Sequence, residues 1–285
     1  MNFPLMRTSI SAARVPPGLT AAAAGFRDHM GLQLWSLRDQ TETSTTGALD
    51  LAVSFGFTEV EAAGTGSLSV TEFAKELLAR NLTVVAAHGG YEALTKDSAT
   101  VIADAKALGA KYLIVPWLPH DQDKGLTPEV ARKAAADFNT WGAACQLAGL
   151  TFGFHQHGFE FKADADGVTP FDIIARETKA DLVVFEMDVF WIIHSGGDPV
   201  KMLEQYPGRW RLMHVKDIRQ GAVTGLHTGS APPTDKVAVG DGQVDWPTVL
   251  AAAGKAGVTH YFIEDEGIQP LKDIPASLQY LKSLK

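Results

Sequence analysis

Hydrophobic positions along this chain follow two alternating rhythms. Short, nearly continuous apolar runs begin near Gly31, Thr58, Leu82, Lys111, Thr151, Leu182, Trp210 and Tyr261. Runs of this length, rich in Val, Ile, Phe and Leu, predict strands buried on both faces. Between them lie segments whose apolar residues recur every three or four positions, the period of a helix with one inward face. The set Leu49, Ala52, Val53 and Phe55 is one such face. Val70 to Arg80, Val101 to Leu108 and Pro128 to Ala148 follow, then Pro170 to Thr178, Pro199 to Tyr206, Trp246 to Ala256 and Pro275 to Leu284. Gly56, Asn81, Gly109 and Gly149 stand where several of these should stop, as residues that accept a left-handed C-terminal turn do.

Eight strands alternating with eight helices require parallel strands joined by crossovers. Eight units in 285 residues predict an α/β fold of the (β/α)₈ TIM-barrel class in a single domain, residues 30–285, rather than an open doubly wound sheet. No Gly-rich phosphate loop follows a strand, so a nucleotide-binding sheet lacks its usual signature.

The polar residues at the ends of the strand runs carry the chemistry. Catalytic residues of such barrels sit at the C-terminal ends of the strands. That rule gathers Gln33 and Trp35, Glu61, His88, Trp117, then His155, His157 and Glu160. The later runs add Glu186 and Asp188, His214 and Lys216, and Glu264 and Glu266. So many carboxylates in one pocket repel unless a cation neutralises them. Mixed Glu, Asp and His ligation suits a transition ion, with Mn²⁺ first and Zn²⁺, Co²⁺ or Fe²⁺ open, rather than Ca²⁺.

Composition narrows the classes. A formal net charge of −8 gives no basic footprint for nucleic acid. No run reaches the length of a membrane span, and the single cysteine, Cys145, lies in a helical pattern as a buried, inert thiol. Residues 1–29 carry Arg7, Arg14, Pro16 and Pro17 before a small alanine patch. They read as a poorly ordered extension or a degenerate export signal, with a cytoplasmic location expected and export left open.

The motifs together resemble the sugar phosphate isomerase/epimerase family of xylose isomerase-like TIM barrels. They are Gly31-Leu-Gln-Leu-Trp-Ser-Leu-Arg-Asp39, Val115-Pro-Trp-Leu-Pro119 and Phe154-His-Gln-His-Gly-Phe-Glu-Phe161. Phe185-Glu-Met-Asp-Val-Phe-Trp191, Met213-His-Val-Lys-Asp217 and Val239-Gly-Asp-Gly-Gln-Val-Asp-Trp246 complete the set. The resemblance implies one divalent ion held by Glu160, Asp188, His214 and Glu264, with His155 or His157 as alternatives to Glu160. It further implies a sugar or keto-sugar substrate isomerised or epimerised through an enediolate. Glu160 and Glu264 would be the bases, His157 a substitute base, and Lys216 a catalytic or substrate-holding cation. Gln33, Trp35, Glu61, His88, Trp117, His155 and Trp191 are the expected substrate contacts. Trp191 stands where many epimerases of this fold carry a histidine. That departure keeps open a lyase acting on 3-keto-glycosides by β-elimination, and beside it a non-catalytic sugar-binding barrel. The Gly/Thr/Pro-rich segment from Asp217 to Gly242 is long enough for a lid or for a contact in a homo-oligomer.

Overall fold

The computed structural model describes residues 25–121 and 125–284; most of the expected N-terminal extension lies outside them. Eight parallel strands close into a barrel: β1 (Met30–Gln33), β2 (Glu59–Ala62), β3 (Thr83–His88), β4 (Tyr112–Val115), β5 (Thr151–His155), β6 (Val183–Asp188), β7 (Trp210–Val215) and β10 (His260–Ile263). Each pairs with its neighbour in chain order, and β10 pairs with β1 to close the ring. A short antiparallel ribbon, β8 (Asp217–Ile218) with β9 (Lys236–Val237), lies between β7 and β10.

The crossover helices are α1 (Arg38–Thr43), α2 (Thr45–Ser54), α3 (Val70–Ala79), α4 (Tyr91–Ala107) and α5 (Pro128–Ala148). They continue as α6 (Pro170–Glu177), α7 (Val189–His194), α8 (Pro199–Gln205), α9 (Trp246–Ala256) and α10 (Pro270–Ser283). Local chemistry sets their ends. Ser69 and Glu72 form a capping box at α3, as Thr169 and Asp172 do at α6, each satisfying backbone N–H groups that a helix start leaves unpaired. Gly149 closes α5 at φ 83°.

Three expectations are corrected. The first strand is shorter than Gly31 to Leu37, because Leu34–Leu37 turns into a 3₁₀ segment, where Gln33 Oε1 accepts the Trp35 N–H at 2.8 Å. α10 begins at Pro270 rather than Pro275, which lies inside the helix. α7 was not foreseen; its apolar run continues directly from β6, which leaves no change of period to mark the boundary.

The apolar core is split as a barrel demands. A large layer between strands and helices includes Phe138, Phe152, Phe154, Phe171, Trp210 and Trp246. A smaller cluster of Val85, Ala86, Ile114, Val184, Leu212 and Phe262 fills the barrel itself. Cys145 is buried in the outer layer, and burial pushes its thiol up to about 12. Side chains alternate faces along a strand. Gln33, Glu61, His88, His155, Glu186, His214 and Glu264 therefore share the inward parity of the plug and lie one step above it.

Candidate metal centre

At the C-terminal mouth, strands β5, β6, β7 and the residue after β10 converge on one point. His155 Nε2 and His214 Nδ1 lie 4.0 and 3.8 Å from Asp188 Oδ2. Glu264 Oε2 is 3.2 Å from the same His214 nitrogen. His155, Asp188 and His214 form one of the clusters whose geometry suits a metal ion. Ligands about 2.0–2.2 Å from a tetrahedral Zn²⁺ stand a little over 3 Å apart, so small adjustments would let His155, Asp188 and His214 share one ion, with Glu264 beside His214. Asp188 Oδ2 is buried without a hydrogen-bond partner, an uncommon state for a carboxylate oxygen. Burial pushes the Asp188 carboxyl up to about 6, against the pull of Lys216. A donor set of two imidazoles and two carboxylates around an orphaned oxygen fits a divalent transition ion.

Behind these groups sits a second layer. Glu186 Oε2 accepts from His155 Nδ1 at 3.0 Å and lies 3.3 Å from His214 Nε2. Glu61 Oε2 is 2.6 Å from His214 Nε2 and 2.6 Å from Gln33 Nε2, and Glu61 Oε1 is 3.3 Å from His88 Nε2. Burial would raise the Glu61 carboxyl, but His88 and His214 hold it well below the usual carboxylate range. Glu61, His88, Glu186 and His214 also cluster closely enough for an ion. They meet His214 through Nε2, however, on the side away from Asp188 and Glu264. Carboxylates hydrogen-bonded to the far nitrogen of a ligating histidine fix its tautomer and strengthen it as a ligand, and Glu61 and Glu186 occupy those positions.

Cations of the chain's own stand against these carboxylates. Burial opposes charge on His214, yet Glu186 and Glu61 raise it well above the usual imidazole range. Lys216 Nζ is 3.1 Å from Glu264 Oε2 and 3.8 Å from Asp188 Oδ2, and also pairs with Glu266. Despite burial, those carboxylates keep it firmly charged.

A cavity of about 640 Å³ opens above the cluster. Its floor includes His88, His155, His214 and Glu264, and its walls carry Trp35, Trp117, His157 and Trp191. His157 lies between the Trp117 and Trp191 rings, at centroid distances of 4.9 and 5.5 Å. Burial and the charge of Lys216 hold it well below the ordinary imidazole range, hence neutral. Its Nδ1 and the Trp191 Nε1 are buried without partners. Gly229, Ser230 and Ala231, from the segment between β8 and β9, close one side of the cavity. Gly229 adopts φ 63°, and a Cβ there would come within 2.7 Å of Phe159 and 2.9 Å of Trp117. The cover lies directly on the aromatic wall for that reason.

Most of the expected residues meet here, with distinct placements. Asp188 and Glu264 both lie close to His214 Nδ1, at 3.8 and 3.2 Å. Glu160 does not join them. It lies in the 3₁₀ turn Phe159–Phe161, fully buried, with both carboxylate oxygens 3.0–3.1 Å from the His157 backbone N–H. The fifth-strand group facing Asp188 is His155, two positions beyond Gly153 on the inward face. Gln33 and Glu61 sit beneath the floor rather than in the cavity wall. The sequence reading overlooked Lys236, which lines the cavity and pairs with Glu266 at 3.1 Å; nothing in its Gly/Thr/Pro-rich surroundings marks it. Asp217 has a structural task, accepting from Gly240 N, Val244 N, Ile218 N and Trp246 Nε1. A Cβ on Gly242 would collide with it, and one on Gly240, at φ 98°, would meet the Tyr280 ring, which accounts for the two glycines of the Val239 to Trp246 motif.

Residues 49–284 match the family model described as xylose isomerase-like TIM barrel. An inosose dehydratase of Lacticaseibacillus casei is 23% identical over 189 residues, covering 59% of this chain and 61% of that protein. The chain thus spans about three-fifths of that curated relative's length. Among solved structures, a sugar phosphate isomerase/epimerase from Parabacteroides distasonis ATCC 8503 superposes with a TM-score of 0.72 at 22% identity, covering 94% of this chain and 98% of that one. The IolI protein with a bound zinc atom superposes with a TM-score of 0.66 at 14% identity, covering 89% and 95%. Among the described residues no helix is long and apolar enough to cross a membrane. With more than half its length matched by the model and the closed eight-stranded barrel to go with it, the chain belongs to the xylose isomerase-like TIM barrel family.

Proposed function

We propose that this chain is a divalent-metal-dependent enzyme that removes the proton beside the ketone of a keto-sugar and expels the substituent on the next carbon. Its ion would be held by His155, Asp188, His214 and Glu264. A divalent ion in that position supplies Lewis-acid polarisation of the ketone oxygen, with Zn²⁺, Mn²⁺, Co²⁺ and Fe²⁺ all compatible with the donors. His157, neutral on the cavity wall, accepts the proton from the α-carbon. The electron pair of the broken C–H bond passes to the ketone oxygen, where the Lys216 ammonium adds positive charge. Its return forms a carbon–carbon double bond and breaks the bond to the β-oxygen, which takes the proton held by His157 and leaves as an alcohol or water, restoring the neutral imidazole. The product is an unsaturated ketone.

The observation that carries this reading over simple epimerisation is the position of Glu160. Inverting a carbon by removing a proton from one face and returning it to the other calls for two bases flanking the substrate. Glu160, expected as one of them, is fully buried with both oxygens on the His157 N–H and does not line the cavity, whereas elimination needs a single base. Two features add support: a cavity of about 640 Å³ exceeds what one monosaccharide fills, and inosose dehydratase, a curated relative, is by name a dehydratase. The second reading is a sugar isomerase or epimerase with Glu264 and His157 as its bases. The likeness to the sugar phosphate isomerase/epimerase of Parabacteroides distasonis supports it.

The test is incubation of metal-loaded protein with 3-keto-glycosides and with free ketoses in D₂O. Released aglycone together with an unsaturated ketone is the expected result. Deuterium incorporation with conserved carbon skeleton would replace elimination by isomerisation. Binding of either sugar without turnover, in every metal state, would leave a binding protein.

A further inference from the structure

The opposite end of the barrel carries a second constellation that the proposed reaction does not use. His29, Glu59 and His260 occupy inward positions at the N-terminal ends of β1, β2 and β10, each two residues before an inward neighbour: Gly31, Glu61 and Phe262. These three strands are adjacent at the seam where the ring closes. His29 Nδ1 lies 3.0 Å from Glu59 Oε1, and His260 Nδ1 lies 3.2 Å from Glu59 Oε2. The two imidazoles stand 4.8 Å apart between centroids, and Tyr112 packs edge-on behind His260. All three offer ligand atoms within 4.8 Å of one another.

We propose that His29, Glu59 and His260 form a second, independent binding site for a divalent transition ion, Zn²⁺ by preference, at the closure seam of the barrel. Two imidazole nitrogens and one carboxylate are borderline-soft donors, suited to Zn²⁺, Co²⁺ or Ni²⁺ and poorly suited to Mg²⁺ or Ca²⁺. Burial would raise the Glu59 carboxyl, but His260 and His29 hold it below its usual range, so the anionic ligand is ready above mildly acidic pH. With neutral imidazoles an ion replaces the two Nδ1 hydrogens by a tautomer shift to Nε2, without a net loss of protons. His260 is nearly buried while the His29 side chain is one-third exposed, which leaves a path for the ion and room for water as a fourth ligand. The plug of Ile114, Leu212 and Phe262 separates this site from the catalytic mouth. Its task is therefore a staple across β10, β1 and β2 rather than a part in turnover.

The experiment is Zn²⁺ equilibrium dialysis at pH 7.5 followed by elemental analysis, on the parent, Glu59→Gln and the His29→Ala/His260→Ala pair. Glu59→Gln keeps the side-chain size, so loss of fold does not confuse its result. The expected outcome is one equivalent fewer in both variants than in the parent, whatever the catalytic mouth holds. A thermal midpoint that climbs with added Zn²⁺ in Asp188→Asn, and does not climb when Glu59→Gln is added, is the matching signature. Equal stoichiometry in parent and Glu59→Gln, or a Zn²⁺-dependent midpoint that survives that change, would overturn the site and leave a hydrogen-bonded trio. Neither count depends on the identity of the substrate, so failure here and failure of the proposed reaction are separately visible.

Discussion

Glu186 holds His155 from behind: its Oε2 lies 3.0 Å from His155 Nδ1, so the imidazole presents Nε2 to Asp188. Removing the charge while keeping the shape isolates this effect. Glu186→Gln is expected to lower metal affinity about 10–100-fold, as loss of outer-shell partners does elsewhere. The fold should be retained, and competition against a chromogenic chelator reads the change. Undiminished affinity would mean that His155 needs no such support.

Metal uptake should depend on pH with a definite sign. His214 is held charged in the metal-free protein, and its Nδ1 must lose a proton before it can bind an ion. Affinity should therefore rise with pH, by up to about tenfold per unit, while the solution remains below the metal-free value of His214. Proton release on binding, seen as a buffer-dependent heat in calorimetry, is the check.

Glu160 offers a stability test. Burial pushes its carboxyl up to about 8, from an unfolded value near 4.5. Between those values the folded chain binds a proton that the unfolded chain has lost, so the residue destabilises increasingly as pH rises through that window. Glu160→Gln, which still accepts from the His157 N–H, is expected to be more stable than the parent at pH 8, by on the order of 1–3 kcal/mol. The difference should vanish below about pH 4.5. Denaturant midpoints at three pH values decide it.

The cover over the cavity makes a kinetic prediction. Gly229→Val meets both an unfavourable backbone angle and the rings of Phe159 and Trp117, so it should lift the segment off the aromatic wall. KM is expected to rise by about tenfold or more, the effect of roughly 1.4 kcal/mol, with bound metal unchanged. An unaltered KM would assign the segment to some other role.

Much of this molecule could be read from residue order. The alternation of strand runs and helical periods is a consequence of burying both faces of each parallel strand, and it survived into the closed barrel. Asp188, His214 and Glu264 stood out as candidates because polar groups closing apolar runs are rare unless bound to something. The fifth strand was harder. His155, His157 and Glu160 all follow the same run, and choosing among them requires knowing that the chain turns into a 3₁₀ segment at Phe159, bringing Glu160 back onto the His157 N–H. Inward parity, counted from Gly153, excludes Glu160 and leaves His155 and His157; only His155 lies within the strand. The roles of Glu61 and Glu186 were hidden for another reason. A ligand and the carboxylate behind it look alike in sequence, and only the nitrogen each one faces tells them apart. Lys236 lies on a two-residue strand in an irregular segment, where no periodicity exists to place it.

The closing of the ring between β1 and β10 has a consequence in time. β1 is made before β10, and its outer hydrogen-bonding edge has no partner until the six barrel strands between them and β10 itself have been made. Until then β1 presents an open strand edge able to pair with another chain. Late closure of distant segments is slow, and chains waiting for it are vulnerable to association. Refolding yield should consequently fall as protein concentration rises, with the seam of β10, β1 and β2 the last part to gain protection from hydrogen exchange.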